Sequence, residues 1–113
     1  MKKFPMPKMN MNIVIYGKNN CPYCVAAKKL LKEIGLKFHY YGIEKLVKEK
    51  VLKKPEDIIE KLSDKTGGYQ YVPMVFIYGE FLGGFTELQE VLSIAVQERD
   101  VPTLEELRIK YQF

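Results

Sequence analysis

Short apolar runs alternate with stretches of helical periodicity along this chain. The run Ile13–Tyr16 predicts a buried strand that ends at Gly17. Apolar residues then recur at helical spacing between Ala27 and Ile34, and Gly35 closes that pattern as a glycine beyond the last helical turn often does. The first part of the chain is therefore predicted to form a strand followed by a helix.

The middle of the chain repeats this alternation less clearly. A second strand is predicted over Lys37–Tyr41, parallel to the first, because a helix-sized crossover separates the two. Residues Gly42–Lys54 are rich in lysine and glutamate, fit either an extra helix or an irregular loop, and are expected to present their charges to solvent. A clearer helix is predicted from Pro55, with acidic residues in its first turn, to Gly67-Gly68. Its inward-facing residues are Ile58, Ile59 and Leu62.

The last part of the predicted domain is a hairpin followed by a helix. Met74–Tyr78 predicts a third strand, and Gly79-Glu80 are predicted to turn the chain back into a short antiparallel strand at Phe81-Leu82. Thr86 and Gln89 have the spacing of a capping box that opens a helix. The inner face of this helix is predicted to consist of Leu88, Val91, Leu92 and Ala95.

The predicted element order is βαβαββα, which indicates one α/β domain. A second capping box, Thr103 with Glu106, predicts a last short helix. We divide the chain into an N-terminal extension over residues 1–11, a domain over residues 12–97 and a C-terminal extension over residues 98–113. The C-terminal extension is expected to be helical and to pack on the domain.

Composition narrows the class of protein. With 113 residues, 47% of them hydrophobic, the chain is long enough for one core without disulfide cross-links. Both cysteines lie in one motif, which favours a reducing, cytoplasmic location. The basic start of the chain lacks the apolar core of a signal peptide, and no apolar run would span a bilayer, so we expect a soluble protein. The net charge of +4 comes from scattered lysines and predicts no nucleic-acid partner.

The sequence Cys21-Pro22-Tyr23-Cys24 stands at the predicted turn between the first strand and the first helix. Cys21 falls at the N-cap, Pro22 suits the first helical position because it lacks an N–H, and Cys24 lies about one turn further on. Free N–H groups and the helix dipole would stabilise a thiolate at Cys21, the attacking species in disulfide exchange. This arrangement predicts a thiol–disulfide redox site in which Cys24 is the resolving thiol.

Three separated segments of the chain resemble dithiol glutaredoxins, a family within the thioredoxin-like fold. They are Lys18–Cys24, Val72-Pro73 and Gly83–Leu88. Thioredoxins proper usually carry a tryptophan before the first cysteine and Gly-Pro between the two, whereas Asn20 and Pro22-Tyr23 occupy those positions here. The resemblance covers the predicted domain and implies a three-layer α/β/α sandwich around a central four-stranded mixed sheet.

The resemblance also implies an activity, a cosubstrate and partners. It implies an enzyme of electron transport and cell redox homeostasis that reduces protein disulfides and glutathione mixed disulfides, with glutathione as reductant and no metal. Cys21 would attack the substrate, and either Cys24 or glutathione would resolve the intermediate. The implied partners are disulfide-containing or glutathionylated proteins, with ribonucleotide reductase among the candidates, and the protein would act as a monomer.

Glutathione binding is assigned by the resemblance to residues in all three segments. Lys18 would pair with the glycine carboxylate and support the Cys21 thiolate. A cis bond at Val72-Pro73 would turn the Val72 peptide group toward Cys21, where an extended substrate could pair with it. Thr86 and Glu87 would hold the γ-glutamyl end at a helix N-terminus. The complete predicted set is Lys18, Tyr23, Gln70, Val72, Pro73, Gly84, Thr86 and Glu87.

Some features depart from the family pattern or have ordinary explanations. The segment Thr66–Tyr71 is about one residue longer than usual and Tyr71 replaces a common threonine, which makes Gln70 a weaker ligand candidate. A proline can simply start a strand, Gly-Gly before a helix is a common turn, and Lys18 is one of many lysines. The single histidine, His39, is interpreted as a strand residue because one histidine and two cysteines leave a tetrahedral zinc site incomplete.

Three alternative functions stay open on sequence alone. Two copies of such a protein with two glutathione molecules could carry an iron–sulfur cluster, although Pro22 argues against this by the same resemblance. A thioredoxin-like reductase served by a flavoprotein reductase is a second alternative. A thioredoxin-like binding module without catalytic activity is a third, and the retained pair of thiols argues against it.

Overall fold

The computed structural model describes residues 3–97, with side chains up to residue 93. Four strands form one sheet in the order β2-β1-β3-β4. The strand β1 is parallel to β2 and antiparallel to β3, and β3 is antiparallel to β4. The strands are β1 (Ile13–Gly17), β2 (His39–Gly42), β3 (Met74–Ile77) and β4 (Glu80–Gly83).

Helices cover both faces of this sheet, as the three-layer prediction requires. They are α1 (Pro22–Ile34), α2 (Ile43–Lys48), α3 (Asp57–Lys61), α4 (Ser63–Thr66) and α5 (Phe85–Gln97). Within the described range, none of these helices combines the length and the apolar character that crossing a membrane would take.

Alternation along the strands produces two apolar cores. Ile13 and Ile15 of β1 point to one face, where they pack with buried residues of α1 and α5 such as Leu31. Val14 and Tyr16 point to the opposite face, where the core includes residues of α2 and α3. All the residues of β1 are buried, so this central strand fixes the position of the loop that follows it.

Residues 3–11 pack on the second of these cores. The ring of Phe4 stacks on Tyr16 at a centroid distance of 5.7 Å, and the Tyr16 hydroxyl donates a hydrogen bond to the Pro5 carbonyl oxygen. Tyr16 also contacts the rings of Tyr41 and Phe76. The fully buried Tyr16 therefore joins the N-terminal segment to the sheet.

Several predicted strand boundaries were wrong by one or two residues. The strand β2 begins at His39 rather than Lys37, because its ladder with β1 starts at the Val14–His39 pair and runs on to Gly42. The hairpin turn is Tyr78-Gly79 rather than Gly79-Glu80. Both turn residues have positive φ, 51° and 82°, a geometry that matches the twist of the flanking strands.

The predicted helix from Pro55 was also wrong in its bounds. It begins at Asp57, whose carboxylate accepts a hydrogen bond from Lys54 N–H at 3.2 Å and so fixes a turn through Pro55. It breaks at Leu62, where the Ser63 hydroxyl donates to the Glu60 carbonyl at 2.8 Å and competes with regular helix bonding. The uncertain stretch before it contains the short helix α2 followed by turns.

The prediction for the last described helix was partly wrong. The helix α5 begins at Phe85, and its start is capped by Glu87 rather than by a Thr86–Gln89 box. Leu88 and Leu92 are buried, as predicted. The Ala95 side chain, the Thr103–Glu106 capping box and the C-terminal extension lie outside the described residues.

Candidate active site

The two cysteines occupy the first turn of α1. Cys21 is the N-cap with an extended backbone, Pro22 is at the start of the helix, and Cys24 N–H donates a hydrogen bond to Cys21 Sγ at 3.2 Å. A disulfide joins the two residues, whose Cα atoms are 5.2 Å apart. Cys21 is 6% exposed and Cys24 1%. Both residues are therefore buried, Cys21 slightly less than Cys24, and a helix N–H points at the Cys21 sulfur.

The segment before β3 faces Cys21, in agreement with the sequence prediction. The Val72-Pro73 peptide bond is cis. The Val72 carbonyl oxygen lies 4.0 Å from Cys21 Sγ. The Val72 peptide group therefore stands directly beside the sulfur that would react.

A cleft of about 220 Å³ opens next to the dithiol. Most of the residues predicted to bind glutathione line it, whereas Lys18 and Gln70 are exposed and do not contribute to its wall. The lining residues are Tyr23, Tyr69, Tyr71, Val72, Pro73, Gly84, Phe85, Thr86 and Glu87.

Aromatic side chains form much of this wall, and sequence reasoning missed Tyr69, Tyr71 and Phe85. The ring centroids of Tyr23 and Phe85 are 5.9 Å apart. Those of Tyr69 and Tyr71 are 5.6 Å apart, and these two rings are arranged edge to face. Tyr23 and Tyr71 are 63% and 71% exposed. Each of the three missed residues lies within three positions of a predicted ligand, and that proximity was the available signal.

The N-terminus of α5 forms part of the cleft wall. Gly84 N–H donates to Glu87 Oε1 at 2.9 Å, so one N–H of this helix end is already paired. The N–H groups of Phe85, Thr86 and Glu87 have no acceptor among the described residues. They can receive an anionic group of a ligand, while the Glu87 carboxylate can receive a cationic one.

Close packing at this end depends on two glycines. A Cβ on Gly84 would come within 2.8 Å of the Tyr69 hydroxyl oxygen. A Cβ on Gly83 would come within 2.8 Å of Glu87 Cδ, and Gly83 has φ 140°, which favours glycine. The glycine pair therefore allows both Tyr69 and Glu87 to lie against the backbone.

The burial and the charges in this part of the cleft shift the pKa of Tyr69. Burial raises the pKa of Tyr69, and the negative charge of Glu87 and the neighbouring Tyr71 raise it further. The phenol therefore stays protonated and keeps a hydrogen-bond donor at the cleft wall over the physiological pH range.

No group of three or more His, Cys, Asp or Glu side chains in the described part of the chain is arranged to hold a metal ion. His39 lies exposed on β2. The chemistry that the arrangement offers is exchange at sulfur, because two cysteines in disulfide-bonding contact, of which Cys21 is the slightly more exposed, lie at a helix end next to an open cleft.

Comparisons with known proteins agree with this geometry. The family model described as Glutaredoxin matches residues 13–82. The chain is 39% identical to Glutaredoxin-C8 of Oryza sativa subsp. japonica over 99 residues, covering 77% of this chain and 67% of that protein. Three further curated relatives are covered over 42% to 64% of their own length.

Solved structures show the same fold. Oxidized glutaredoxin 2 from Chlamydomonas reinhardtii has a TM-score of 0.63 and 32% identity, over 90% of this chain and 83% of that one. A buckwheat glutaredoxin–glutathione complex has a TM-score of 0.62 and 27% identity, over 86% of this chain and 79% of that one.

Proposed function

The chain belongs to the glutaredoxin family of thiol–disulfide oxidoreductases, and we propose that it reduces glutathione mixed disulfides and protein disulfides with glutathione as its reductant. One observation carries the proposal. Cys21 Sγ accepts a helix N–H and lies 4.0 Å from the Val72 carbonyl oxygen, and the wall of the neighbouring cleft contains Val72 and the unpaired N–H groups at the start of α5.

The proposed reaction begins with attack by the Cys21 thiolate on a mixed disulfide of glutathione. A new bond forms between Cys21 and the glutathione sulfur, the substrate disulfide breaks, and the released thiolate takes up a proton. A second glutathione thiolate then attacks the glutathione sulfur on Cys21. This step releases glutathione disulfide and returns the Cys21 thiolate, so each mixed disulfide consumes one free glutathione, whose sulfur pairs with the glutathione sulfur taken from the substrate.

A protein disulfide would follow a dithiol route. Cys21 would form a mixed disulfide with one protein sulfur, and Cys24 would attack Cys21 to release the reduced protein. Cys24 is suited to this role because it is buried and its sulfur lies within bonding distance of the Cys21 sulfur. The Cys21–Cys24 disulfide would then be reduced by two glutathione molecules.

The polarity of the cleft supports glutathione as the cosubstrate. Glutathione carries two carboxylates and one ammonium group. The free N–H groups at the start of α5 suit one carboxylate, the Glu87 carboxylate suits the ammonium, and Lys18 on the loop before Cys21 suits the second carboxylate. The related buckwheat structure is a complex with glutathione.

A coupled turnover assay tests the proposal. The reduced protein is incubated with a glutathionylated small thiol and glutathione, and the glutathione disulfide formed is measured. Turnover above the uncatalysed rate, absent in Cys21→Ser, is expected. Turnover that occurs only with a thioredoxin-reductase couple, and not with glutathione, would refute glutathione dependence.

A further inference from the structure

A carboxylate of α2 holds the loop that precedes the dithiol. Glu44 Oε2 accepts a hydrogen bond from Asn19 N–H at 2.9 Å, although the two residues are 25 positions apart. In the described part of the chain this is the only hydrogen bond that we find between residues 18–20 and a side chain. Glu44 is exposed, as the charge pattern of the sequence predicts, and the structure also gives it a specific partner in an exposed hydrogen bond.

A tyrosine of β2 packs on the start of the same loop. A Cβ on Gly17 would come within 2.8 Å of Tyr40 Cζ, so the Tyr40 ring lies directly against the backbone at this point. Lys28 Nζ of α1 stands 4.1 Å from the centroid of that ring. Burial raises the pKa of Tyr40, and the negative charge of Glu44 raises it further.

The backbone of the loop turns at Asn20. This residue has φ 55°, in the left-handed region, which asparagine adopts more readily than most residues other than glycine. Lys18 is exposed, and no hydrogen bond or ion pair of its side chain is found among the described residues. The position of its ammonium group therefore depends on the position of the loop backbone.

We propose that Glu44 is a positioning residue for glutathione recognition: by accepting Asn19 N–H it fixes the loop, and the loop holds the Lys18 backbone so that its exposed ammonium group can meet a carboxylate of glutathione bound in the cleft. The inference rests on the proposed function, in which Lys18 pairs with a glutathione carboxylate. Glu44 does not touch the substrate in this scheme. Its contribution is to restrict the loop to fewer conformations, so that less conformational entropy is lost when Lys18 binds glutathione.

A simpler explanation is that Glu44 only stabilises α2. Glu44 lies in the first turn of that helix, where a negative charge is favourable. Substitution by glutamine separates the two explanations. Glu44→Gln loses the charge and keeps an oxygen acceptor at the same distance from the backbone, whereas Glu44→Ala loses both.

Amide hydrogen exchange tests the contact directly. In Glu44→Ala the Asn19 amide should exchange about threefold faster or more, because a loop amide without an acceptor is protected less. In Glu44→Gln it should stay within about twofold of the wild type. Glu33→Ala, which removes an exposed carboxylate from α1, is the matched control and should not change Asn19 exchange. Unchanged exchange in Glu44→Ala would overturn the proposal.

Steady-state kinetics tests the consequence. Glu44→Ala should raise KM for a glutathionylated small thiol about two- to fivefold with kcat little changed, the size expected for one exposed charged contact. Glu44→Gln should restore KM to near the wild-type value. In a Lys18→Ala background, Glu44→Ala should have no further effect on KM, because the two residues act through one contact. Additive effects in the double variant would overturn the proposal.

The two measurements separate failure of this inference from failure of the proposed function. If the wild type shows no turnover with glutathione, the proposed function is wrong, and Asn19 exchange still reports whether Glu44 holds the loop. If turnover is present and Asn19 exchange rises in Glu44→Ala while KM stays the same, Glu44 does not position Lys18 and the inference is overturned.

Discussion

Gly84 donates its N–H to the Glu87 carboxylate at 2.9 Å, and this contact closes the first turn of α5 at the edge of the cleft. A glutamate at the third helical position that reaches back to the N-cap backbone is one half of a capping box. The same carboxylate lies near Tyr69, whose phenol lines the cleft. Glu87 thus connects the stability of this helix end with the charge of the proposed binding site.

Glu87→Gln should lower the pKa of Tyr69 without returning it to the ordinary tyrosine value. Burial is the larger cause of the raised pKa and stays in place, whereas the negative charge is removed. An NMR titration of the tyrosine ring resonances at alkaline pH measures the change. Glu90→Gln, on the exposed side of α5, is the control and should leave the Tyr69 titration unchanged. Identical Tyr69 curves for the wild type and Glu87→Gln would contradict the prediction.

Lys18→Ala should weaken the use of a glutathionylated substrate by a modest amount. The lysine is exposed, so its ion pair with a substrate carboxylate is worth about 0.5–1 kcal/mol, which corresponds to a two- to fivefold higher KM. Lys29→Ala removes a similar exposed charge from α1 and serves as the control. A Lys18→Ala enzyme with wild-type KM would show that Lys18 is only a surface charge.

The dithiol end of the site could be predicted because its signals are local. An N-cap cysteine, a proline at the first helical position and a strand directly before them lie within a few residues of one another, and the structure places them as expected. Val72-Pro73 could be assigned to Cys21 only through the family resemblance, because a contact across 51 residues leaves no local pattern.

The aromatic wall and the support of the active-site loop could not be predicted in the same way. Tyr69 and Tyr71 lie in a segment without regular secondary structure, where no periodicity indicates which side chains face the cleft. The Glu44–Asn19 contact joins a short helix, itself ambiguous in sequence, to a loop. The packing of Phe4 on Tyr16 likewise depends on a non-helical segment returning to the sheet.

Tyr16→Phe should change how stability depends on pH above about pH 10. Burial, and then the neighbouring Tyr41, raise the pKa of Tyr16 far above its ordinary value near 10. Below about pH 10 the phenol is protonated in both the folded and the unfolded state, so it has no effect on the pH dependence. Above that value the unfolded chain loses the proton first, and the free energy of unfolding falls as pH rises.

Removing the hydroxyl should therefore make the alkaline decline less steep. At pH 8, Tyr16→Phe should be less stable by about 1 kcal/mol, because the hydrogen bond to the Pro5 carbonyl is lost. Urea unfolding from pH 8 to pH 11.5 measures both effects. Tyr23→Phe, at an exposed position, should follow the wild-type curve. Equal alkaline slopes for the wild type and Tyr16→Phe would rule out Tyr16 as a cause of the decline.

The two cysteines should divide the reaction between them. Cys21→Ser should abolish every exchange reaction, because a serine hydroxyl is not ionised at neutral pH and forms no mixed disulfide. Cys24→Ser should keep deglutathionylation, since a second glutathione can attack the Cys21–glutathione intermediate, and should lose most reduction of protein disulfides. Mass spectrometry should then find a single glutathione on Cys21. Activity in Cys21→Ser with none in Cys24→Ser would reverse the assignment, and equal loss in both variants would indicate an obligatory dithiol route.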